Sequence, residues 1–167
     1  MRLTTNTLSS LYNLPAGKAG IKQTLLLMRD VTRKAKRNVA LRTLAGSLTK
    51  HLTAKNWLAE ITVLHAYVRD HIRYTRDING IETIQTPDKT LELGYGDCDD
   101  KSTLLATLLE MIGHPARFVA VGFKLGKYSH VYVETLYKGK WIALETTEPV
   151  AVGWVAPNIV EKMIVNV

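Results

Sequence analysis

The stretch Gly94-Tyr95-Gly96-Asp97-Cys98-Asp99-Asp100-Lys101-Ser102 holds the chain's only cysteine. Two glycines precede Asp97 within three residues, and glycine adopts backbone angles that other residues resist, so Gly94-Tyr95-Gly96 reads as a tight bend feeding a helix. Asp97 suits the N-cap of that helix. Asp99 and Asp100 fall in its first turn, where carboxylates match the positive end of the helix dipole. Leu104, Leu105, Leu108, Leu109, Met111 and Ile112 follow at the spacing of a buried helix, which Gly113-His114-Pro115 should end. Cys98 therefore lies at a helix start, where free backbone N–H groups stabilise a thiolate and can hold an oxyanion. A lone cysteine is most often a small buried hydrophobe. Here its neighbours are Gly and Asp instead of Val and Leu. The three acids help the helix start, but like charge raises a thiol pKa, so a nucleophilic Cys98 needs a base or an imidazolium beside it.

At 167 residues the chain is long enough for one domain with a real core. A hydrophobic share of 46% against 22% charged is that of an ordinary globular protein. One cysteine excludes an intrachain disulfide and a multi-cysteine zinc site, and it fits a reducing compartment. No apolar run approaches the roughly 18 residues of a membrane span, and Met1-Arg2-Leu3-Thr4-Thr5-Asn6 is not followed by a signal-type apolar core. A cytoplasmic or virion-associated location is the expectation. The net charge of +7 is uneven. Residues 1–59 carry 11 Lys/Arg and one acid, Asp30, whereas residues 60–167 carry 11 Lys/Arg and 14 acids. The basic front could meet a polyanion or an acidic protein, or it could be a solvated face that keeps the chain soluble.

Residues 1–16 read as an irregular arm closing in the turn Leu14-Pro15-Ala16-Gly17. Three helices are expected next. The first starts near Ile21 (Ile21, Leu25, Met28, with Leu27 and Val31) and ends among Arg29, Arg33, Lys34, Lys36 and Arg37. The second uses Leu41, Leu44, Leu48 and Leu52. The third uses Trp57, Ile61, Leu64, Val68 and Ile72, with Asn56 or Thr53 at its start. His51, His65 and His71 stand alone among apolar or basic neighbours and read as structural or surface residues. His65 and His71 lie on different faces of a helix, so they do not make a metal site. From Arg73 to Gly96 a long loop is expected, with a turn at Asn79-Gly80 and an extended Gln85-Thr86-Pro87, lining the approach to Cys98.

After the cysteine helix the apolar period becomes two. Ala116–Phe123, Ser129–Leu136 and Trp141–Glu145 read as strands, with Lys138-Gly139 as a hairpin turn. A two-residue turn pairs Tyr137 with Lys140. It then sets Val133 against Leu144, with Val131 diagonal to Ile142, on one apolar face. The other face carries His130, Tyr132, Glu145 and Thr147, with Glu145 diagonal to His130. A slip of one residue would expose the valines, so the pattern fixes this register. The tail from Pro149 is apolar and suits a short edge strand, a segment packed on the sheet, or a docking tail.

Cys98, His130 and Glu145 thus form a candidate thiol triad. A thiol near its ordinary pKa of about 8.5 is mostly protonated at neutral pH, so a histidine must take its proton. The histidine needs an acid to fix its tautomer and steady its charge. An activated thiol of this kind would alkylate faster than a free thiol at pH 6.5. The backbone N–H of Cys98 is the natural oxyanion donor. Tyr95, Gln85 and Tyr132 are the oxyanion and cleft candidates, although Tyr95 more simply packs beside the bend.

The series Gly96-Asp97-Cys98-Asp99-Asp100-Lys101-Ser102, the leucine-rich helix, Gly113-His114-Pro115-Ala116-Arg117-Phe118-Val119, Ser129-His130-Val131-Tyr132-Val133-Glu134 and Trp141-Ile142-Ala143-Leu144-Glu145-Thr146-Thr147 resembles the transglutaminase-like superfamily over about residues 90–148. The resemblance implies an α+β, papain-like fold, in which the cysteine begins a helix packed on an antiparallel sheet and the histidine and an acid follow on adjacent strands. A helical part would precede this core. The resemblance implies Cys98 as nucleophile, His130 as general base and acid, and Glu145, in place of the usual Asp, as orienting acid. No cofactor or metal is implied. The division expected is a basic arm and helices over 1–76, a catalytic core over 77–148 and an apolar tail over 149–167, folded as one unit. The implied activity is that of a peptidase, amidase or acyltransferase on a peptide or amide substrate. The chain is also similar to small members of the family encoded in bacteriophage and prophage genomes. That implies virion proteins as partners and, alternatively, a non-enzymatic role in a virion or tail assembly.

Overall fold

The computed structural model describes residues 17–76 and 84–167. The arm over 1–16 and the Asn79-Gly80 turn lie outside the described residues. Helix α1 (Lys18–Ala35) buries Leu25 and Met28 and carries Arg33 and Lys34 in its last turn, where cations complement the negative end of the dipole. Helix α2 (Val39–Thr49) starts on Asn38, whose side chain accepts from Leu41 N at 3.2 Å. Leu52 falls beyond its end. Helix α3 (Trp57–His71) starts on Asn56, which accepts from Ala59 N at 3.3 Å, so Asn56 and not Thr53 is the cap. Trp57, expected in the core, occupies the first helical position and is 52% exposed.

The approach to Cys98 is not a long loop. Strand β1 (Arg73–Tyr74) leaves α3, and helix α4 (Pro87–Leu93) fills the second half of the segment. Pro87 opens α4, where its missing N–H costs nothing, and Gly94 closes it in the left-handed region at φ 70°. Gly94 is therefore a helix C-cap and not half of a tight bend. Strand β2 (Tyr95–Gly96) then pairs in parallel with β1, Arg73 opposite Tyr95 and Tyr74 opposite Gly96.

Helix α5 (Cys98–Met111) is buried all round from Asp100 to Leu109, as a central helix must be. It ends before Gly113, at φ 94°. Strands β3 (Ala116–Lys124), β4 (Lys127–Tyr137), β5 (Lys140–Leu144) and β6 (Glu161–Asn166) form one antiparallel sheet in the order β5-β4-β3-β6. The apolar tail thus supplies an edge strand. Lys138 and Gly139 both have positive φ, 49° and 76°, which gives the two-residue turn whose twist suits a hairpin. Tyr137 pairs with Lys140 and Val133 with Leu144, as the apolar pattern requires. The expected diagonal differs. Ile142 lies opposite Thr135, and Val131 lies past the end of β5, although all four apolar residues share one face.

Helices and sheet share one core. Leu25, Met28, Leu41, Ala45, Ile61, Leu64, Val68, the α5 leucines, Phe118, Val133 and Leu144 form one cluster. A fully buried leucine contributes about 2 kcal/mol. The other face of the sheet has a smaller cluster of Val119, Val121, Tyr132 and Ala143 with Ile159 against it. No helix among the described residues is long and apolar enough to cross a membrane.

Candidate active site

The start of α5 is held by a capping box. Asp97 Oδ1 accepts from Asp99 N at 2.9 Å and Asp100 N at 3.0 Å, and Asp100 Oδ2 accepts from Asp97 N at 3.2 Å. Asp100 is 1% exposed, and its Oδ1 also accepts from Gln85 N at 2.7 Å, which ties the approach segment to the helix. The cap thereby uses the second and third N–H groups of the helix. The first, that of Cys98, has no acceptor among the described residues. Gly96 serves by size. A Cβ there would fall 2.6 Å from Asp100 Cβ, so any larger residue would push the approach strand off the helix.

The hairpin explains why Cys98 meets β4. With Tyr137 and Lys140 flanking the turn, the odd-numbered residues of β4 direct their N–H and C=O groups toward β5. Strand β5 stops at Leu144, opposite Val133. Val131, the next odd residue, has lost its strand partner, and the first turns of α5 take that place. Ser102 Oγ donates to Val131 O at 3.3 Å, and the Val131 N–H reaches the Cys98 sulfur. The cysteine helix thus caps an unfinished sheet edge, one residue from His130.

The thiol donates to Asp99 Oδ1 at 3.6 Å. Burial pushes the Cys98 thiol well above its ordinary range, Asp99 and Asp97 add to this, and the Val131 N–H works the other way. Burial and the two carboxylates thus favour the protonated sulfur, which runs against the expectation of rapid alkylation at pH 6.5.

His130 Nε2 meets Glu145 Oε2 at 2.6 Å. Glu145 is 3% exposed, and its Oε1 accepts from Thr147 N and Thr147 Oγ1, each at 2.7 Å. Burial works to raise the Glu145 carboxyl, but the bonds from His130 and Thr147 outweigh it, so the pKa falls below the ordinary value and the group is a carboxylate. An ionised Glu145 accepts only, so His130 carries its proton on Nε2, and Nδ1 is the nitrogen left for chemistry.

The secondary candidates separate. Tyr132 is buried in the smaller cluster, and its hydroxyl is engaged with Glu134 Oε1 at 3.3 Å and Lys162 Nζ at 3.4 Å, so it is not the free donor expected. The Gln85 side chain accepts from Thr90 Oγ1 at 3.3 Å. Tyr95 stacks under the Arg73 guanidinium, 5.9 Å from its centroid. Opposed residues of a strand pair project to the same face. Tyr95 and Arg73 share one face, and Tyr74 shares the other with Gly96, the face turned to the first turn of α5.

Three residues near the site are not among the candidates read from the sequence. Tyr74 is the tyrosine beside the cysteine helix. Burial raises its phenol most and the nearby Cys98 next, with Asp97 adding weakly, while a hydrogen bond and charge from Arg76 work the other way without reversing the result. Lys101, 2% exposed, donates to Arg69 O in the last turn of α3 at 3.3 Å and to Ile72 O just past it; burial lowers its pKa to about 8. His65, read as structural, bonds the Glu145 carbonyl through Nε2 at 2.5 Å. Among the described residues no group of three His, Cys, Asp or Glu could hold a metal ion.

Solved structures with this fold include a Parabacteroides distasonis protein described as a candidate protease, with a TM-score of 0.62 at 19% identity over 74% of this chain and 26% of that one. A candidate cysteine protease from Cytophaga hutchinsonii gives 0.52 at 22% over 75% and 46%. Calcium-bound LapG of Legionella pneumophila gives 0.55 at 17% over 81% and 80%. The chain thus spans about a quarter and under half of the first two proteins. No curated protein matches the sequence. The sequence model of the transglutaminase-like superfamily matches residues 42–146, from α2 to the residue after Glu145, and with well over half its length matched the chain belongs to that superfamily.

Proposed function

We propose that the protein is a cysteine-dependent amide hydrolase or acyltransferase working through a thioester acyl-enzyme. The observation that carries this reading is the 2.6 Å bond from His130 to a buried, ionised Glu145, on a strand whose next residue bonds the Cys98 sulfur. With the surroundings of the sulfur favouring its protonated form, the reading takes general base catalysis instead of a standing ion pair. As the sulfur attacks the carbonyl carbon, His130 Nδ1 takes its proton, and Glu145 steadies the imidazolium. The Cys98 N–H, left over by the cap, receives the developing oxyanion, and Tyr74, on the face of β1 turned to α5, is the side chain we assign to a second bond. His130 then protonates the leaving amine. Water or a second amine, deprotonated by His130, resolves the thioester and restores the thiol.

Intact-protein mass spectrometry after incubation with p-nitrophenyl acetate tests the reading. Wild type should release a burst of p-nitrophenol and carry one acetyl group on Cys98, and Cys98→Ala should lose both while keeping its fold. Turnover that survives in Cys98→Ala would remove the assignment. A wild type that never acylates would favour a non-enzymatic assembly component with this fold. The exposed Arg33, Lys34 and Arg37 are the cations we would assign to an anionic partner.

A further inference from the structure

We propose that His65 is a positioning residue: its Nε2–H, bonded to the Glu145 carbonyl, fixes the backbone that aims the Glu145 carboxylate at His130. The inference rests on the triad reading above and adds α3 to it.

Glu145 is the first residue past β5, so no ladder bond of the sheet holds it. Its backbone is anchored instead by His65, 80 residues earlier, at 2.5 Å. A carbonyl only accepts, so His65 Nε2 must donate, which fixes the neutral ring as the Nε2–H tautomer. His65 sits on the α3 face formed by Ile61, Leu64 and Val68, all fully buried, and is itself 1% exposed. A leucine would pack on that face without burying a polar ring. The imidazole is accounted for by the bond it makes.

The rest of α3 works in the same direction. Lys101, one turn after Cys98, donates to the carbonyls of Arg69 and Ile72, and Arg69 Nη1 donates to Val150 O at 2.8 Å. The second half of α3 with Ile72 just past its end thereby holds the nucleophile helix on one side and the acid-bearing segment on the other. The spacing between the two halves of the site is set through α3, which carries none of the three triad residues.

The test compares His65→Gln, whose amide nitrogen reaches about where Nε2 lies and keeps a donor, with His65→Met, which keeps bulk and removes it. The first readout is the downfield proton NMR signal of the His130 Nε2–H on Glu145, which needs no substrate. The second is kcat and KM with the ester probe. His65→Met should lose the signal and drop kcat by roughly 10- to 100-fold at unchanged KM, the scale of a misplaced catalytic group. His65→Gln should restore both. A Met variant that keeps signal and kcat overturns the proposal. So does a folded Gln variant that loses them, a comparison that stands even if the Met variant does not fold. Cys98→Ala separates the two readings, because it should keep the downfield signal while losing acylation. A failed enzyme assignment would therefore appear there and not in the downfield signal of the His65 series, which alone would then decide the proposal.

Discussion

Two histidine–glutamate pairs in this molecule have almost the same geometry and opposite surroundings. His114 Nε2 meets Glu60 Oε2 at 2.7 Å, and His130 Nε2 meets Glu145 Oε2 at 2.6 Å. In the first pair the histidine is the hidden member, with its side chain 8% exposed against 23% for Glu60. In the second the carboxylate is hidden, 4% exposed, and the ring reaches outward at 18%. The first pair joins the opening turn of α3 to the turn after α5, where His114 N also donates to Leu109 O at 3.0 Å. The second stands beside the unfinished edge of β4 that the cysteine helix caps. Distance alone does not tell the two pairs apart. What separates them is which partner solvent can reach and which elements the pair stands between.

The largest expected difference between the pairs is in turnover. His130→Gln should lower acylation of the ester probe by about 1,000-fold or more while leaving the urea midpoint near that of wild type. His114→Met should keep turnover within about threefold but lose about 1–3 kcal/mol of stability, because the half-buried Glu60 is left without its donor. Urea unfolding and burst kinetics on both variants settle it. If the two swapped effects, the pair beside Cys98 would be the strut.

A second difference concerns the sulfur itself. Cys98 lies between burial and two carboxylates, so its alkylation by iodoacetamide at neutral pH should be slower than that of a free thiol, with the rate still rising past pH 9. A folded-state pKa raised in this way also favours the native state below the ordinary thiol range and loses that contribution as pH rises through the raised value. His130→Gln should leave the alkylation profile in place. A rate plateau below neutral pH that vanishes in His130→Gln would mean that the ring and the sulfur rest as an ion pair, and the general-base step would have to be rewritten.

The contrast also shows what the sequence makes legible. The hairpin could be read because its information is local: two turn residues, period-two valines and a register that only one pairing satisfies. The cysteine helix was legible for the same reason, from its aspartate cap to its glycine stop. Helix α4 was missed although Thr86-Pro87-Asp88 and Gly94 mark both its ends, since seven residues are too few to show a helical period beside an extended Gln-Thr-Pro reading. Tyr74 could not be ranked above Tyr95. The choice depends on a parallel pairing of two residues between strands separated by α4 and residues 75–86, and no local pattern encodes it. The engagement of the Tyr132 hydroxyl is not legible because β6, which brings Lys162 to it, lies far along the chain. The role of His65 was hidden for a like reason, its partner carbonyl lying 80 residues away.

That third histidine gives the smallest of the effects, and a measurable one. Burial lowers the His65 pKa below the ordinary 6.5 and Arg69 works the same way, while the Glu145 bond and the charges of Asp70 and Glu145 oppose them without reversing the result. The folded chain thus resists a proton that the unfolded chain accepts. As pH falls below 6.5 the unfolded state binds more protons, so stability that is complete above 6.5 declines through the folded value. Glutamine at position 65 does not titrate, so His65→Gln should lose less stability than wild type on acidification, whatever its stability at neutral pH. Urea unfolding above and below pH 6.5 on both proteins measures this difference of slopes. Parallel slopes would mean that His65 takes its proton in the folded state and stays bonded to the Glu145 carbonyl as an imidazolium. In that case charge, as well as direction, would reach the acid from α3.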